Sequence, residues 1–122
     1  MSSPRADRRD NHAAHTALRN ECLAWIGSRE WARAWIANVG VAVPLGRKRP
    51  MRFGIAGQAD ITGILRDGRR LEIEIKTGNA RRSSNQRAYA SMIVRMGGLY
   101  VVARSLDWLQ RELRVDGYHD SS

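Results

Sequence analysis

Cysteine, lysine and long apolar runs are all scarce in this chain of 122 residues. The single cysteine, Cys22, has no partner for an internal disulfide, and no cysteine and histidine cluster has the spacing of a zinc site. No apolar run approaches the roughly 20 residues that a membrane-spanning helix needs. The first residues are also too polar for a secretory signal peptide. These absences predict a soluble cytoplasmic protein with no membrane partner.

The charge of the chain is one-sided. Lysine and arginine together number 21 against 12 acidic residues, which gives a formal net charge of +9. Only Lys48 and Lys76 are lysines, and the guanidinium group of arginine offers a planar fork of donors that suits phosphate. Such an excess is typical of proteins that bind nucleic acid. An arginine-biased genome or a need for solubility would also produce it.

The patterning predicts one α/β domain between two loose ends. Residues 1–11 are polar and basic, and we interpret them as a disordered basic arm, with a flexible tail at 115–122. Between them the predicted order is helix, three strands, helix, strand and helix. The strands are expected at about 31–37, from 59, at 70–76 and at 99–103. The helices are expected at about 12–26, from the Ser83 cap, and at 105–113. The segment 31–37 also suits a helix. This order predicts a mixed sheet flanked by helices.

Two acids and a lysine are placed so that neighbouring strands bring them together. Asp67 and Gly68 form a two-residue hairpin signal between apolar-rich runs. Folding this hairpin carries Asp60 toward the Glu74 and Lys76 end of the partner strand. Paired carboxylates can hold a hard divalent cation, and a nearby ammonium can orient a water. An ordinary half-exposed strand with a charged outer face would show the same alternation.

An ordered set of short motifs between Arg52 and Leu113 resembles the virus-type replication-repair nuclease (VRR-NUC) domain, a branch of the PD-(D/E)xK nuclease superfamily. The matching pieces are Phe53-Gly54, Gly57–Asp60, Gly68–Lys76, Ser83–Gln86 and Gly97–Ser105. Ala59 departs from the family, which often has proline before its aspartate, but the carboxylate is retained. The resemblance implies a restriction-endonuclease-like mixed central sheet flanked by helices, within residues 12–114.

The resemblance also implies an activity. It indicates a Mg²⁺- or Mn²⁺-dependent endonuclease that hydrolyses DNA phosphodiester bonds, with Asp60, Glu74 and Lys76 as its catalytic motif. The metal ligands would be Asp60, Glu74 and the backbone carbonyl of Ile75. Similar stand-alone domains, typically of phage or bacterial origin, are associated with cleavage of structured DNA such as four-way junctions, often as homodimers. The resemblance therefore implies a location in a bacterial cell or a phage-infected host. The alternative is a nucleic-acid-binding module on this fold without catalysis, and a more remote one is a small basic structural protein.

Two further residues gain candidate roles from the resemblance. Gln86 opens a helix where similar nucleases carry a glutamine, although it has the spacing of a capping box with Ser83. Glu21 resembles the helix glutamate that completes the metal shell in such nucleases, and a solvent-facing glutamate is the alternative. Glu72 is on the face of Glu74 but one pleat further out, and we treat it as a flank.

The candidate DNA contacts are arginine-rich. One group lies beside the motif and the other in a proline-bounded loop; they are Arg81, Arg82 and Arg87, and Arg47, Lys48 and Arg49. Solvated charges or a hairpin tip would look the same in the sequence. The histidines His12, His15 and His119 stand outside the motif, so the sequence predicts no histidine ligand.

Overall fold

The computed structural model describes residues 4–37, 40–42, 45–46, 51–53 and 55–120. The helices and strands of this part of the chain are α1 (Pro4–Gly27), β1 (Ala32–Ile36), β2 (Gly40–Ala42), β3 (Met51–Phe53), β4 (Ile61–Leu65), β5 (Arg70–Ile75), α2 (Ser84–Arg95), β6 (Leu99–Ala103) and α3 (Leu106–Val115). A four-stranded sheet has the order β1-β4-β5-β6, and β2 pairs with β3 separately. The predicted α/β class and the mixed sheet flanked by helices are confirmed. None of the described helices has the length and apolar character that crossing a membrane requires.

The hairpin of β4 and β5 forms the centre of the sheet, as predicted. Gly68 has a φ of 91°, a conformation that glycine adopts without strain, and its N–H donates to the Leu65 carbonyl at 2.9 Å. The strands pair antiparallel, with Ile61 opposite Ile73. Because the short turn fixes this register, the next position along each strand sets Asp60 against Glu74.

Strand β6 lies parallel to β5, with Glu72 beside Tyr100 and Glu74 beside Val102. Parallel neighbours require a crossover connection, which α2 supplies. Ser83 caps α2, since its side chain accepts from the Gln86 N–H and the Gln86 side chain accepts from the Ser83 N–H. The predicted capping box is confirmed, and it fixes where the crossover helix begins.

The apolar face of the sheet packs against α1 and α3. Side chains of the sheet and of both helices form one buried cluster, which includes Cys22, Ile26, Ile61, Leu71, Ile73, Ile75, Val101, Leu109 and Leu113. Burial, followed by the charge of Glu21, raises the pKa of the Cys22 thiol to about 11. The thiol is therefore protonated at neutral pH and acts as a small apolar core residue.

The first helix is longer than predicted. It begins at Pro4, so residues 4–11 are helical and the predicted disordered arm is corrected for them. Proline is favourable in the first turn of a helix because its missing N–H has no helical partner there. No glycine or further proline follows before Gly27, so nothing interrupts the helix. The segment predicted at 31–37 is a strand, β1, and not a helix.

The end of the chain makes specific contacts, so the predicted flexible tail is corrected for residues 115–120. The Tyr118 ring packs against Trp31 with centroids 5.6 Å apart, and its hydroxyl donates to Asp67 at 2.6 Å. Asp120 accepts a hydrogen bond from the Trp31 indole at 3.1 Å and pairs with Arg29. These residues lack apolar periodicity, and for this reason the sequence did not indicate their packing.

Candidate active site

The residues predicted to act together meet at one end of the central hairpin. Asp60 lies directly before β4, and its Oδ2 accepts a hydrogen bond from the Ile75 N–H at 2.7 Å. Glu74 lies across from it on β5 and is fully buried. The Lys76 Nζ is 3.9 Å from the Glu74 Oε2, and its side chain is largely buried. Lys76 therefore lies beside Glu74, and Asp60 is bound to the backbone of the residue between them; these three residues are here termed the acid cluster.

The backbone of Ile75 faces this cluster. Alternate residues of a strand point their peptide groups toward opposite neighbours. The Lys76 N–H donates to Ala103 on β6, whereas the Ile75 N–H points toward Asp60. The Ile75 carbonyl consequently points to the Asp60 side as well, beyond the last paired residues of β4 and β5.

The charged face of β5 is not an outer face. Both Glu72 and Glu74 have no exposed surface, so the alternative of an ordinary half-exposed strand is excluded. The Oε1 of Glu72 accepts hydrogen bonds from Thr62 at 2.9 Å, Arg70 at 2.8 Å and Tyr89 at 2.8 Å. Burial, followed by the bond to Glu72, raises the pKa of Tyr89 to about 12. Glu72 thus belongs to a hydrogen-bond network beneath α2, in which Arg70 balances its charge.

Glu74 is less completely compensated than Glu72. Its Oε1 accepts a hydrogen bond from the Tyr100 hydroxyl at 2.5 Å. The Oε2 atoms of both glutamates lack a hydrogen-bond partner among the described residues, but Glu72 has Arg70 in direct contact and Glu74 has only the more distant Lys76. A buried carboxylate with so little compensation is energetically costly.

Tyr100 connects this cluster to the surrounding charges. Burial, and then the hydrogen bond to Glu74, raises the pKa of the Tyr100 hydroxyl far above its ordinary value. The charge of Asp60 adds to this rise, and the charge of Arg82 opposes it. The hydroxyl therefore stays protonated and keeps donating to Glu74 at neutral pH.

A histidine that the sequence placed outside the motif reaches the site. His15 on α1 has its Nε2 3.2 Å from the Asp60 Oδ1. The sequence could have predicted this direction, because His15 lies one turn before Leu18 and Cys22 on the same face of the helix. Glu21 is exposed and is turned about 120° around the helix from His15.

The described residues contain no group of three or more histidine, cysteine, aspartate or glutamate side chains arranged to hold a metal ion. Glu21 is accordingly not gathered with Asp60 and Glu74. Of the other candidate ligands, Asp60 bonds to the Ile75 N–H and lies opposite Glu74 in the register of the hairpin.

Gln86 is engaged in capping, because its Oε1 accepts the Ser83 N–H at 2.8 Å. The start of α2 nevertheless adjoins the site through the backbone. A Cβ atom at Gly57 would lie 2.3 Å from the Asn85 carbonyl oxygen, so only glycine fits there, and its φ is +80°. This contact fixes the loop before Asp60 against the first turn of α2.

A groove of about 530 Å³, here termed the basic groove, adjoins the acid cluster at Tyr100. Its lining is Arg81, Arg82, Arg87, Tyr100, Val101, Val102, Arg104, Trp108 and Glu112. The three arginines predicted beside the motif thus come together. Sequence reasoning missed Arg104 and Trp108, which lie far along the chain. Arg104 donates to the carbonyls of Gly78 and Ala80 at 3.3 and 3.1 Å, which orders the loop before α2. The predicted contacts Arg47, Lys48 and Arg49 lie outside the described residues.

A somewhat larger cavity, of about 620 Å³, lies at the opposite end of β4, beside Trp31, Asp67 and Tyr118. The carboxylates of Asp67 and Asp120 there are bonded to Tyr118 and Arg29. This cavity is remote from the acid pair, and size alone does not make it the better candidate.

No model of a protein family matches this chain, and no curated protein matches it either. The resemblance to the VRR-NUC domain therefore depends on the motifs themselves.

Proposed function

We propose that this protein is a metal-dependent DNA endonuclease of the VRR-NUC type, with a restriction-endonuclease-like fold. The supporting observation is the fully buried Glu74 carboxylate opposite a second carboxylate, Asp60, with a long ion pair of 3.9 Å from Glu74 to the Lys76 Nζ. Two adjacent carboxylates repel each other, and burial strengthens the repulsion. A bound cation removes this cost, whereas a purely structural role gives no reason for a glutamate here.

The donor set fits Mg²⁺ or Mn²⁺. Carboxylate and carbonyl oxygens are the ligands that such hard cations prefer, and Mg²⁺ usually retains several waters. Asp60, Glu74 and the Ile75 carbonyl would hold the ion. When bound, it supplies positive charge to the scissile phosphate and lowers the pKa of a coordinated water.

The chain's own residues then position the reactants. Lys76 donates to the attacking water or to a phosphate oxygen, which stabilises the charge that develops in the transition state. Tyr100 holds the Oε1 of Glu74 and thereby orients the carboxylate. His15 contacts Asp60 on the opposite side from Ile75. These fixed partners preorganise the acids.

The basic groove supplies the contact to DNA. Four arginines line it, and Tyr100 belongs both to the groove and to the acid cluster. A phosphate backbone held by the arginines therefore passes close to Glu74. The resemblance adds two elements to the proposal, cleavage of branched DNA such as four-way junctions and a homodimer.

A second candidate function is DNA binding without catalysis. Both Asp60 oxygens already have partners, in His15 and the Ile75 N–H, and this arrangement can be stable without metal. The basic groove requires no metal in either case. The two candidates differ in whether phosphodiester bonds are broken.

The test is incubation of the protein with plasmid and with a labelled four-way junction, in Mg²⁺, Mn²⁺ or EDTA. We expect cleavage with either metal and none in EDTA. Lys76→Ala should remove cleavage but retain Mn²⁺ binding by calorimetry, since lysine is not a ligand. Binding of both DNAs without cleavage in either metal would reject the nuclease and establish the binding module. Light scattering of the same samples reports the oligomeric state.

A further inference from the structure

We infer that the basic groove contains a subsite for an unpaired nucleobase, formed by the indole of Trp108. The substrate would then be DNA that carries unpaired nucleotides beside a duplex. Because the subsite requires DNA in the groove, it rests on the proposed function.

Trp108 does not belong to the buried core cluster of the described residues. Its side chain is 40% exposed, whereas Leu109 and Leu113 on the same helix are fully buried and attach α3 to the sheet. The backbone N–H of Trp108 donates to the Ser105 Oγ at 3.0 Å, so the residue lies in the capped first turn of α3. A partly exposed tryptophan on a fixed backbone in a groove is available to a ligand.

The indole and the arginines suit different parts of a nucleic acid. Guanidinium groups bind phosphates, and an aromatic ring stacks on a base through its π-face. The Arg111 guanidinium lies 5.8 Å from the Trp108 ring centroid, at the distance of a weak cation–π contact. Bases within a duplex are already stacked and cannot reach such a ring, so the ring selects an unpaired base.

The charge distribution in the groove agrees with this assignment. Glu112 is the carboxylate in the groove lining, and it lies one helical turn from Trp108. A carboxylate repels a phosphate but accepts hydrogen bonds from base amino groups. The Trp108 end of the groove therefore favours a base, whereas Arg81, Arg82 and Arg87 favour the backbone.

The experiment is fluorescence anisotropy in EDTA at fixed salt with two labelled DNAs, a duplex with a single-stranded tail and the same duplex with blunt ends. The intact protein should bind the tailed DNA at least about fivefold more tightly, as one stacked base provides. Trp108→Ala should bring the two affinities within about twofold, and Trp108→Phe should retain most of the preference. The matched control is Trp35→Ala, because Trp35 is 53% exposed but lies on β1, outside the groove lining.

Equal binding of both DNAs by the intact protein would overturn the inference, as would a preference that survives in Trp108→Ala. If Trp108→Ala does not fold, Trp108→Leu decides. Leucine fills the space without a π-face, so this variant must lose the preference. The assay uses no metal, and failure of the nuclease proposal would appear separately as absent cleavage in Mg²⁺ and Mn²⁺.

Discussion

The two faces of β5 are equally buried, but they are built on opposite chemistry. Leu71, Ile73 and Ile75 enter the apolar core, whereas Glu72 and Glu74 lie beneath α2 with no exposed surface. Apolar side chains are stabilised by burial itself, at about 25 cal/mol per Å² of apolar surface. Carboxylates lose hydration and need specific partners. Burial alone therefore does not distinguish a structural face from a functional one, but the partners of each side chain do.

The same contrast exists between the two glutamates. Glu72 faces the neutral Thr62 and pairs with Arg70, so its charge is balanced within the fold. Glu74 faces Asp60, and among the described residues its ion-pair partner is Lys76, at 3.9 Å. Because the negative charge of Glu74 is poorly balanced within the fold, a bound cation at this position would stabilise it.

The largest effect is expected from the comparison of Glu74→Gln with Glu72→Gln. Glu74→Gln should reduce metal-dependent cleavage by at least about a thousandfold, because a proposed metal ligand is lost. Glu72→Gln should stay within about tenfold of the unmodified protein, since Glu72 acts on stability. Single-turnover cleavage measures both, with circular dichroism as the folding control. Equal losses in the two variants would remove the distinction between them.

A substitution on the apolar face should have the converse effect. Ile73→Ala removes a fully buried side chain and should lower the free energy of unfolding by about 2–5 kcal/mol. Cleavage by the fraction that remains folded should not change. Urea denaturation followed by assay at low temperature separates the two quantities. Strongly impaired cleavage in the fully folded variant would contradict the division between the faces.

The polar face should make stability sensitive to alkaline pH. The pKa of Tyr89 is about 12 in the folded protein against an ordinary 10.0, so folding favours its neutral form. This contribution is complete below pH 10.0 and is lost as pH rises through 12, by about 2 to 3 kcal/mol in total. Tyr89→Phe should flatten the decline, and urea melts across this range measure it. An unchanged decline in Tyr89→Phe would locate its cause elsewhere.

His15 on α1 contacts Asp60 directly, and its removal should have a moderate effect. His15→Ala should lower kcat/KM by roughly tenfold and weaken Mn²⁺ binding, because an orienting partner of Asp60 is lost. His15→Gln should restore part of both, since an amide nitrogen can replace Nε2. His12→Ala is the matched control, on the same helix and exposed. Unchanged metal affinity in His15→Ala would leave this residue a purely structural role.

The smallest effect concerns the groove. Replacing Arg81 and Arg82 together by alanine should reduce the slope of log affinity against log salt by roughly one to two units for duplex DNA. A double variant of Arg95 and Arg114, which are exposed and outside the groove lining, removes the same charge and should change the slope less. Equal slopes in both variants would show that net charge, not the groove, governs binding.

Local signals made the hairpin predictable. The Asp67-Gly68 turn and the alternation of β5 determine a register, and that register carries Asp60 to Glu74 without further information. The burial of Glu72 and Glu74 was not predictable in this way. Alternation separates two faces, but it does not say that α2 covers the polar one.

Contacts between distant elements were also outside the reach of the sequence. The approach of His15 to Asp60 depends on how α1 docks on the sheet, and helical periodicity gives only the direction of its side chain. Arg104 and Trp108 join the groove because the crossover helix returns β6 beside β5. The packing of Tyr118 against Trp31 was unpredictable for the same reason, because Trp31 lies at the end of the sheet, far from Tyr118 in the sequence.

The close fit at Gly57 has a consequence for how substitutions combine. A side chain at this position would strike the Asn85 carbonyl, so the loop that leads to Asp60 and the first turn of α2 occupy one shared space. Changes made on the two sides of this contact are therefore expected to be non-additive in a double-mutant cycle, even where neither residue touches DNA. In mutational terms, the loop that leads to the acid and the helix that borders the groove behave as one unit.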